Sequence, residues 1–313
     1  MGSSPHTPNI DQTQMRRLWA PFLLKLKLIN PIVNWIDLRS MEDNNFDIWD
    51  FITHQSLKKK YENYDATYDL SFDELQLITN ISNNGTYEYN NGKIFTVEAN
   101  ARQMIIHLPH SVVQGANKYP LLIFFHGLGD HPWDCALHKT NWRELSNKHQ
   151  FILGFGWGTN CGCTFDPRCG FNIKDPVEDL KYLNNMIKLI ITKYNVDKEK
   201  IYFVGFSNGG IFSSIVAQIY GNQLFAGIVN IMGGFDQNCA EVKQLSIFNP
   251  LPVLIITGTN DDYLTSCEYA HEYFKLHGYD SKITVLHDFG HTYPINEEEN
   301  IWNFLSQKIR NDH

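Results

Sequence analysis

The sequence predicts an α/β fold: a mostly parallel central sheet flanked by helices, carrying an N-terminal extension. Three observations lead there. Beyond residue 120 or so, short apolar runs alternate with stretches of helical periodicity, the order expected when parallel strands are joined by helices on both faces of a sheet. The runs are short and unbroken, as strands buried on both faces are. One of them, Ile201-Tyr202-Phe203-Val204, leads directly into Gly205-Phe206-Ser207-Asn208-Gly209-Gly210, and Ile211, Phe212, Ile215, Val216 and Ile219 then recur at helical spacing.

Residues 1–83 differ from the rest and are read as an extension without recognisable chemistry. They are rich in Asn, Asp, Lys and aromatics, with short helices expected over 46–51 and 70–77. Their longest apolar region, 18–36, is broken by Pro21, Lys25, Lys27, Asn30, Pro31 and Asn34, so it is not a membrane span, which needs about 20 mostly apolar residues. Residues 84–313 form the second unit. It starts with a hairpin, 86–89 and 93–97 around Asn90-Asn91-Gly92, because Asn-Gly accepts the positive φ of a tight turn. Further strands are expected at 102–109, 121–125, 151–155, 225–231, 253–257 and 283–286.

The strongest helix pattern covers 175–194, with Asp175 as cap, Pro176 in the first turn, Glu178 closing a capping box, and Leu180, Leu183, Ile187, Ile190, Ile191 and Tyr194 as one stripe. A second helix is expected from Thr265 to His277, boxed by Glu268 and stopped by Gly278. A third runs from Asn296 to Arg310, acidic at its start and ending in Lys308 and Arg310, which suits the helix dipole.

At 313 residues, 43% hydrophobic and 19% charged, the chain can bury a sizeable core. A formal net charge of −8 argues against nucleic acid or an anionic membrane as the main partner. No leader pattern is visible at the start, so a cytoplasmic location is the expectation. The sequence names no protein partner.

A G-x-S-x-G between strand and helix is the pattern of a nucleophile elbow, a tight turn that presents the serine hydroxyl at the carboxyl edge of a sheet. Serine is a weak nucleophile at neutral pH and needs a base, usually histidine, that is itself oriented by a carboxylate. In this architecture the acid and then the histidine follow the serine on later strand-end loops. The strand at 253–257 runs into Gly258-Thr259-Asn260-Asp261-Asp262, and the strand at 283–286 runs into His287-Asp288-Phe289-Gly290-His291. Asp261 is preferred as the acid, with Asp262 in reserve. His291 is preferred over His287 as the base, because Gly290 permits a close approach. An oxyanion needs two N–H donors. The Asn208 amide is one, and the Leu128 amide in His126-Gly127-Leu128-Gly129-Asp130 is the other, with Gly127 as the alternative. His126 is read as a hydrogen-bonding residue of that turn rather than as a second base. Trp157, Cys163 and Phe165 are candidate substrate-lining residues.

Taken in order, His126-Gly127 after an apolar strand, Phe203 to Gly210, Gly258-Thr259-Asn260-Asp261 and Gly290-His291-Thr292-Tyr293-Pro294 resemble the α/β-hydrolases of the polyhydroxybutyrate depolymerase and feruloyl esterase type. The resemblance spans about residues 100–305. It implies hydrolysis of a small-molecule or oligomeric carboxylic ester through an acyl-enzyme, with no metal or organic cofactor. A peptidase or thioesterase using the same three residues, and a hydrolase-like binding protein without turnover, are the rival readings.

The six cysteines are Cys135, Cys161, Cys163, Cys169, Cys239 and Cys267. Their spacing does not suit zinc. Free thiols are the expectation; the alternatives are a Cys163–Cys169 disulfide or one tying this loop to Cys135.

Overall fold

Nine strands form one sheet in the order β1-β2-β3-β5-β4-β6-β7-β8-β9. They are β1 (Tyr87–Tyr89), β2 (Gly92–Ala99), β3 (Arg102–Pro109), β4 (Tyr119–Phe125), β5 (Ile152–Gly156), β6 (Val196–Phe206), β7 (Gly227–Ile231), β8 (Val253–Gly258) and β9 (Ser281–Leu286). The computed structural model describes residues 87–89, 92–99, 102–114, 117–159, 169–235 and 250–310. All of them fall within one of the two compact units of the chain, Gln76–Cys161 with Asp166–His313. The expected extension over 1–83 with its helices, the Asn90-Asn91 turn, and Cys161, Cys163, Phe165 and Cys239 lie outside the described residues.

From β5 to β9 every neighbouring pair is parallel. The β1-β2-β3 edge is antiparallel, and β3 joins β5 antiparallel as well. Tyr89 pairs with Gly92 across the expected hairpin. Six parallel strands bring their carboxyl ends to one edge, and that edge is where this class of fold builds its sites.

Among the described residues five main helices cover the sheet: α1 (Trp142–His149), α2 (Val177–Lys193), α3 (Asn208–Ile219), α4 (Leu264–Leu276) and α5 (Glu298–Ser306). Strand side chains alternate between faces, and aromatic residues show which helix covers which face. Phe125 and Phe203 meet at 4.8 Å, and Phe125 stacks on Phe212 of α3 at 5.4 Å. The next residue along β6 in the other direction, Tyr202, points to the opposite face and meets Trp302 of α5 edge-on at 6.0 Å. There Phe151 stacks on Trp302 at 4.1 Å and packs edge-on against Trp142 of α1. Among the described residues no helix is long and apolar enough to cross a membrane.

Several local expectations are corrected. Helix α2 starts at Val177 with Pro176 as its cap residue, and no side-chain cap bond forms. Asp175 is held through its own amide by Asn172 Oδ1, and Glu178 pairs with Lys181, so the capping box is not made. Helix α4 likewise starts at Leu264 without a side-chain cap, although Gly278 does stop it, at φ +84°. Helix α5 is shorter than its pattern: it ends at Ser306, after which Lys308 pairs with Asp280 and Arg310 donates to the Gln223 carbonyl. Those cations are drawn off to tertiary partners rather than to the dipole.

One buried group makes the fold sensitive to acid. His107 on β3 is fully buried, and its Nε2 lies 3.1 Å from Asn147 Oδ1 of α1. Burial pushes the imidazole down to about 4, against a smaller opposing effect of the Asn147 hydrogen bond. An unfolded histidine takes up its proton near pH 6.5. Between there and about 4 the unfolded chain holds a proton that the folded chain refuses, so this contribution to stability is present above 6.5 and is lost as pH falls. The His107→Gln variant should lack this slope. The gap in unfolding free energy between parent and variant should shrink by roughly 3 kcal/mol from pH 7 to pH 4 in urea titrations, whereas a gap indifferent to pH would contradict the assignment.

Candidate active site

The site is built on the turn between β6 and α3. Ser207 sits at φ 52° and ψ −113°, a backbone region that costs of order 1–3 kcal/mol for an L-residue. Close packing holds it there. A Cβ on Gly205 would stand 2.0 Å from the Gly209 carbonyl oxygen, and one on Gly209 would stand 2.3 Å from the Phe125 oxygen. Only glycine at both positions lets the turn fold back on itself and dock against β4. Hydrogen bonds complete the clamp: Ser207 N–H donates to the Ile231 carbonyl at 2.8 Å, and Gly209 N–H donates to the His126 carbonyl at 3.1 Å.

The acid and the imidazole arrive from the next strands along the parallel edge. The loops after β8 and β9 are laced together, since Thr259 N–H donates to Leu286, Asn260 N–H to Phe289, and Asp288 N–H to Thr259 Oγ1. His291 Nδ1 lies 3.1 Å from each oxygen of Asp261, and its Nε2 lies 2.8 Å from Ser207 Oγ. The Asp261 side chain is 0% exposed and that of His291 is 35% exposed, so the carboxylate is dry while the imidazole faces the opening. The Tyr263 amide also donates to Asp261 Oδ1, at 2.7 Å. A proton on Nδ1 satisfies Asp261 and leaves the Nε2 lone pair facing the serine hydroxyl. The imidazole packs against two rings, Phe206 at 5.5 Å and Tyr263 at 5.2 Å.

The alternatives in these loops point elsewhere. Asp262 is exposed. His287 is 86% exposed and paired with Asp288 at 2.9 Å.

The loop after β4 lies beside the elbow. Asp130 Oδ2 accepts the Gly127 amide at 3.2 Å, and the same carboxylate is paired with Lys139. The Gly129 amide donates to the Cys169 carbonyl at 2.8 Å, and the Asp130 amide donates back to Gly127. With those three amides engaged, the Leu128 amide is the one in this turn that meets no acceptor among the described residues. Its side chain stands out at 62% exposure. The Asn208 amide, first in α3, has no intrahelical acceptor either. His126 is buried, donates from Nδ1 to its neighbour's carbonyl at 2.8 Å, and is pushed below its ordinary pKa by that burial.

Trp157 follows β5, is buried, and packs edge-on against His131 at 5.1 Å. Cys169 is disulfide-bonded, which corrects the expectation of free thiols at that position. Cys135 and Cys267 are free and buried, so the loop is not tied to Cys135. Among the described residues no group of His, Cys, Asp and Glu is arranged to hold a metal ion.

One part of the site had no signal in the sequence. Tyr293, two residues past His291, donates to Glu298 Oε1 at 2.7 Å and accepts from Trp142 Nε1 at 2.8 Å. Glu298 Oε2 accepts the Asn141 amide at 2.8 Å. Burial pushes the Glu298 carboxyl up to about 8, against the pull of the Tyr293 and Asn141 hydrogen bonds. Glu298 lies in the first turn of α5, as the acidic pattern predicts, and it is also the buried post to which the His291 loop is tied.

Comparison with known proteins agrees with this architecture. Residues 172–309 match the family model described as Phospholipase/Carboxylesterase. An uncharacterized hydrolase of Acanthamoeba polyphaga mimivirus is 27% identical over 253 residues, 70% of this chain and 80% of that protein. A bifunctional acetylxylan esterase/xylanase of Neocallimastix patriciarum is 24% identical over 163 residues, 52% of this chain and 22% of that much longer protein. A solved ferulic acid esterase superposes with a TM-score of 0.53 at 16% identity, covering 69% of this chain and 97% of that one. The chain thus has the α/β-hydrolase fold and resembles esterases of the feruloyl esterase type. The matches support an ester hydrolase as its broad class.

Removing the Tyr293 hydroxyl strips one partner each from the buried Glu298 carboxyl and the Trp142 indole. The Tyr293→Phe variant should therefore lose about 1–3 kcal/mol of stability in urea unfolding. An unchanged midpoint would mean that these contacts do not hold the loop.

Proposed function

We propose that the chain is a serine-dependent carboxylic ester hydrolase in which Ser207 is the nucleophile, His291 the general base and Asp261 the residue that orients the imidazole. The observation that carries this reading is the unbroken hydrogen-bonded line from Ser207 Oγ through His291 to the dry Asp261 carboxylate. The serine hydroxyl is already within proton-transfer distance of a nitrogen whose opposite edge is anchored.

Ser207 Oγ attacks the ester carbonyl carbon while its proton passes to His291 Nε2. The imidazolium formed is stabilised by Asp261, which stays ionised. The carbonyl oxygen becomes an oxyanion, received by the Leu128 and Asn208 amides, whose dipoles are in place before charge develops. Collapse of the tetrahedral intermediate breaks the bond to the alcohol oxygen, which leaves with the proton from His291 Nε2. Water then attacks the acyl-enzyme with His291 again as base, and the carboxylic acid departs as Ser207 regains its proton. Every step is a proton or acyl transfer, and the chain's own side chains and amides supply all the groups required.

The substrate is a small or oligomeric ester. Tyr263, exposed and 5.2 Å from the imidazole, and Leu128, exposed on the loop of a proposed oxyanion donor, support an acyl or alcohol part with apolar surface. Trp157 remains a proposed lining residue, while Cys163 and Phe165 lie outside the described residues.

Activity on a panel of p-nitrophenyl, feruloyl and hydroxybutyrate esters tests the class. The Ser207→Ala variant should lose at least about 10⁴ in kcat and all labelling by a fluorophosphonate probe. Asp261→Asn should cost about 10⁴ in kcat through the wrong imidazole tautomer. Hydrolysis surviving in the Ser207→Ala protein would end the proposal.

A further inference from the structure

Residues 169–172 lie against both proposed oxyanion donors at once. The Cys169 carbonyl accepts the amide of Gly129, the residue next to Leu128. Phe171 is gripped at both backbone groups by the side chain of Asn208: its N–H donates to Asn208 Oδ1 at 2.7 Å, and its carbonyl accepts from Asn208 Nδ2 at 3.1 Å. Between them, Gly170 leaves no room for a side chain, since a Cβ there would stand 2.8 Å from Asn208 Oδ1 and 2.9 Å from Leu128 Cδ1.

The segment is itself anchored. The Asn172 amide donates to Asp179 Oδ2 at 2.6 Å, and the Gly170 carbonyl accepts the Thr159 amide at 2.8 Å. Asp179 is buried and is also held by Arg102 and by the Thr159 hydroxyl. On the sheet side, the Phe171 ring stacks on Phe125 at 4.0 Å and on Phe212 at 5.5 Å. A short backbone segment, gripped at each end and filled by an aromatic ring, is stiff.

The geometry points to a second task for Asn208: beyond its amide, its carboxamide is a positioning group that fastens residues 169–172 as a brace setting the spacing of the Leu128 and Asn208 N–H donors. The inference rests on the esterase reading above and names how its oxyanion site is held. Leu128 lies on a loop after β4 and Asn208 on a helix after β6. The β4–β6 ladder and the Gly209-to-His126 hydrogen bond bring the two segments together, and the brace adds contacts to the Gly129 amide, the Leu128 side chain and the Asn208 carboxamide. An oxyanion site gains its effect from donors aimed before charge develops, and a misplacement of about 1 Å costs on the order of 10²-fold in rate.

Two variants load the brace from opposite sides. Asn208→Ala keeps the backbone donor and removes the grip on Phe171. Gly170→Ala keeps Asn208 and pushes a methyl group between it and Leu128. Asn208→Asp is the isosteric companion: it retains an acceptor for the Phe171 amide, but sets a carboxylate oxygen against the Phe171 carbonyl and adds a negative charge beside the oxyanion site. Rates are to be expressed per active site, counted by fluorophosphonate titration, so that misfolded protein does not enter.

With p-nitrophenyl acetate, Asn208→Ala and Gly170→Ala should each lower kcat by about 10–100-fold with KM within about twofold, and Asn208→Asp should lower kcat at least as far as Asn208→Ala. Affinity for an alkylboronic acid, which forms a tetrahedral adduct on the serine, should weaken by the same factor as kcat. A parent-like kcat per active site and parent-like boronate affinity in these variants would overturn the brace. If Ser207→Ala were still dead in that case, the esterase reading would stand. If Ser207→Ala kept its activity, the esterase reading itself would fall and take the brace with it.

Discussion

The site depends on a single unfavourable backbone conformation. Ser207 at φ 52° is a bend that its own side chain disfavours, and it persists because the residues around it leave the chain nowhere else to go. The Ser207 amide is taken by β7 through Ile231, and the Gly209 amide by the end of β4 through His126. The two neighbouring strands of the sheet therefore hold the turn from either side. The parallel sheet thus acts as a vice as well as a platform. The same constraint sets the geometry of the site, because a serine forced out of the regular path places its hydroxyl 2.8 Å from the imidazole nitrogen.

The remaining groups are arranged by graded exposure. Asp261 is dry, His291 is a third exposed, and Leu128 stands largely in solvent. A buried carboxylate is tolerable only when it is well paired, and here an amide and an imidazole supply the pairing. Farther back, Tyr293, Trp142 and Glu298 form a second tether: a buried acid whose carboxyl is pushed up by its burial and which is tied to the His291 loop through a phenol. The loop that must deliver the imidazole is hence tethered from in front by Asp261 and from behind by α1 and α5.

The large-scale order was legible because it follows from local rules. Alternating apolar runs and helical stripes give a parallel sheet, and a parallel sheet gathers its strand-end loops on one edge. Ser207, Asp261 and His291 could then be selected by chain order before any distance was known, and the structure brings these three side chains together. Helix ends were read less well. Asp175 and Glu178 spell a capping box, but Pro176 takes the cap position and Asn172 captures the Asp175 amide. Lys308 and Arg310 match a helix dipole, yet Asp280 and the Gln223 carbonyl lie closer. A local Asn172 turn and an i,i+3 ion pair in the first case, and tertiary partners in the second, outweigh a preference of about 1 kcal/mol.

What no local rule could reveal is the set of contacts between residues far apart in sequence. Asn141 reaches Glu298 across 157 positions, Arg102 reaches Asp179 across 77, and Asn208 reaches Phe171 across 37. Each joins a buried polar side chain to a group on another element, and a buried polar group without a partner costs about 1–3 kcal/mol. These contacts are therefore both stringent and silent in the sequence, since an Asn, an Asp or a Glu looks the same whether it faces water or a distant amide. Asn208 illustrates the point most sharply. The motif marks it as the residue after Ser207, and so singles out its amide as a proposed oxyanion donor. That its carboxamide closes on the backbone of Phe171, beside the loop of the second donor, follows only from the way two strands and a helix bring those segments face to face.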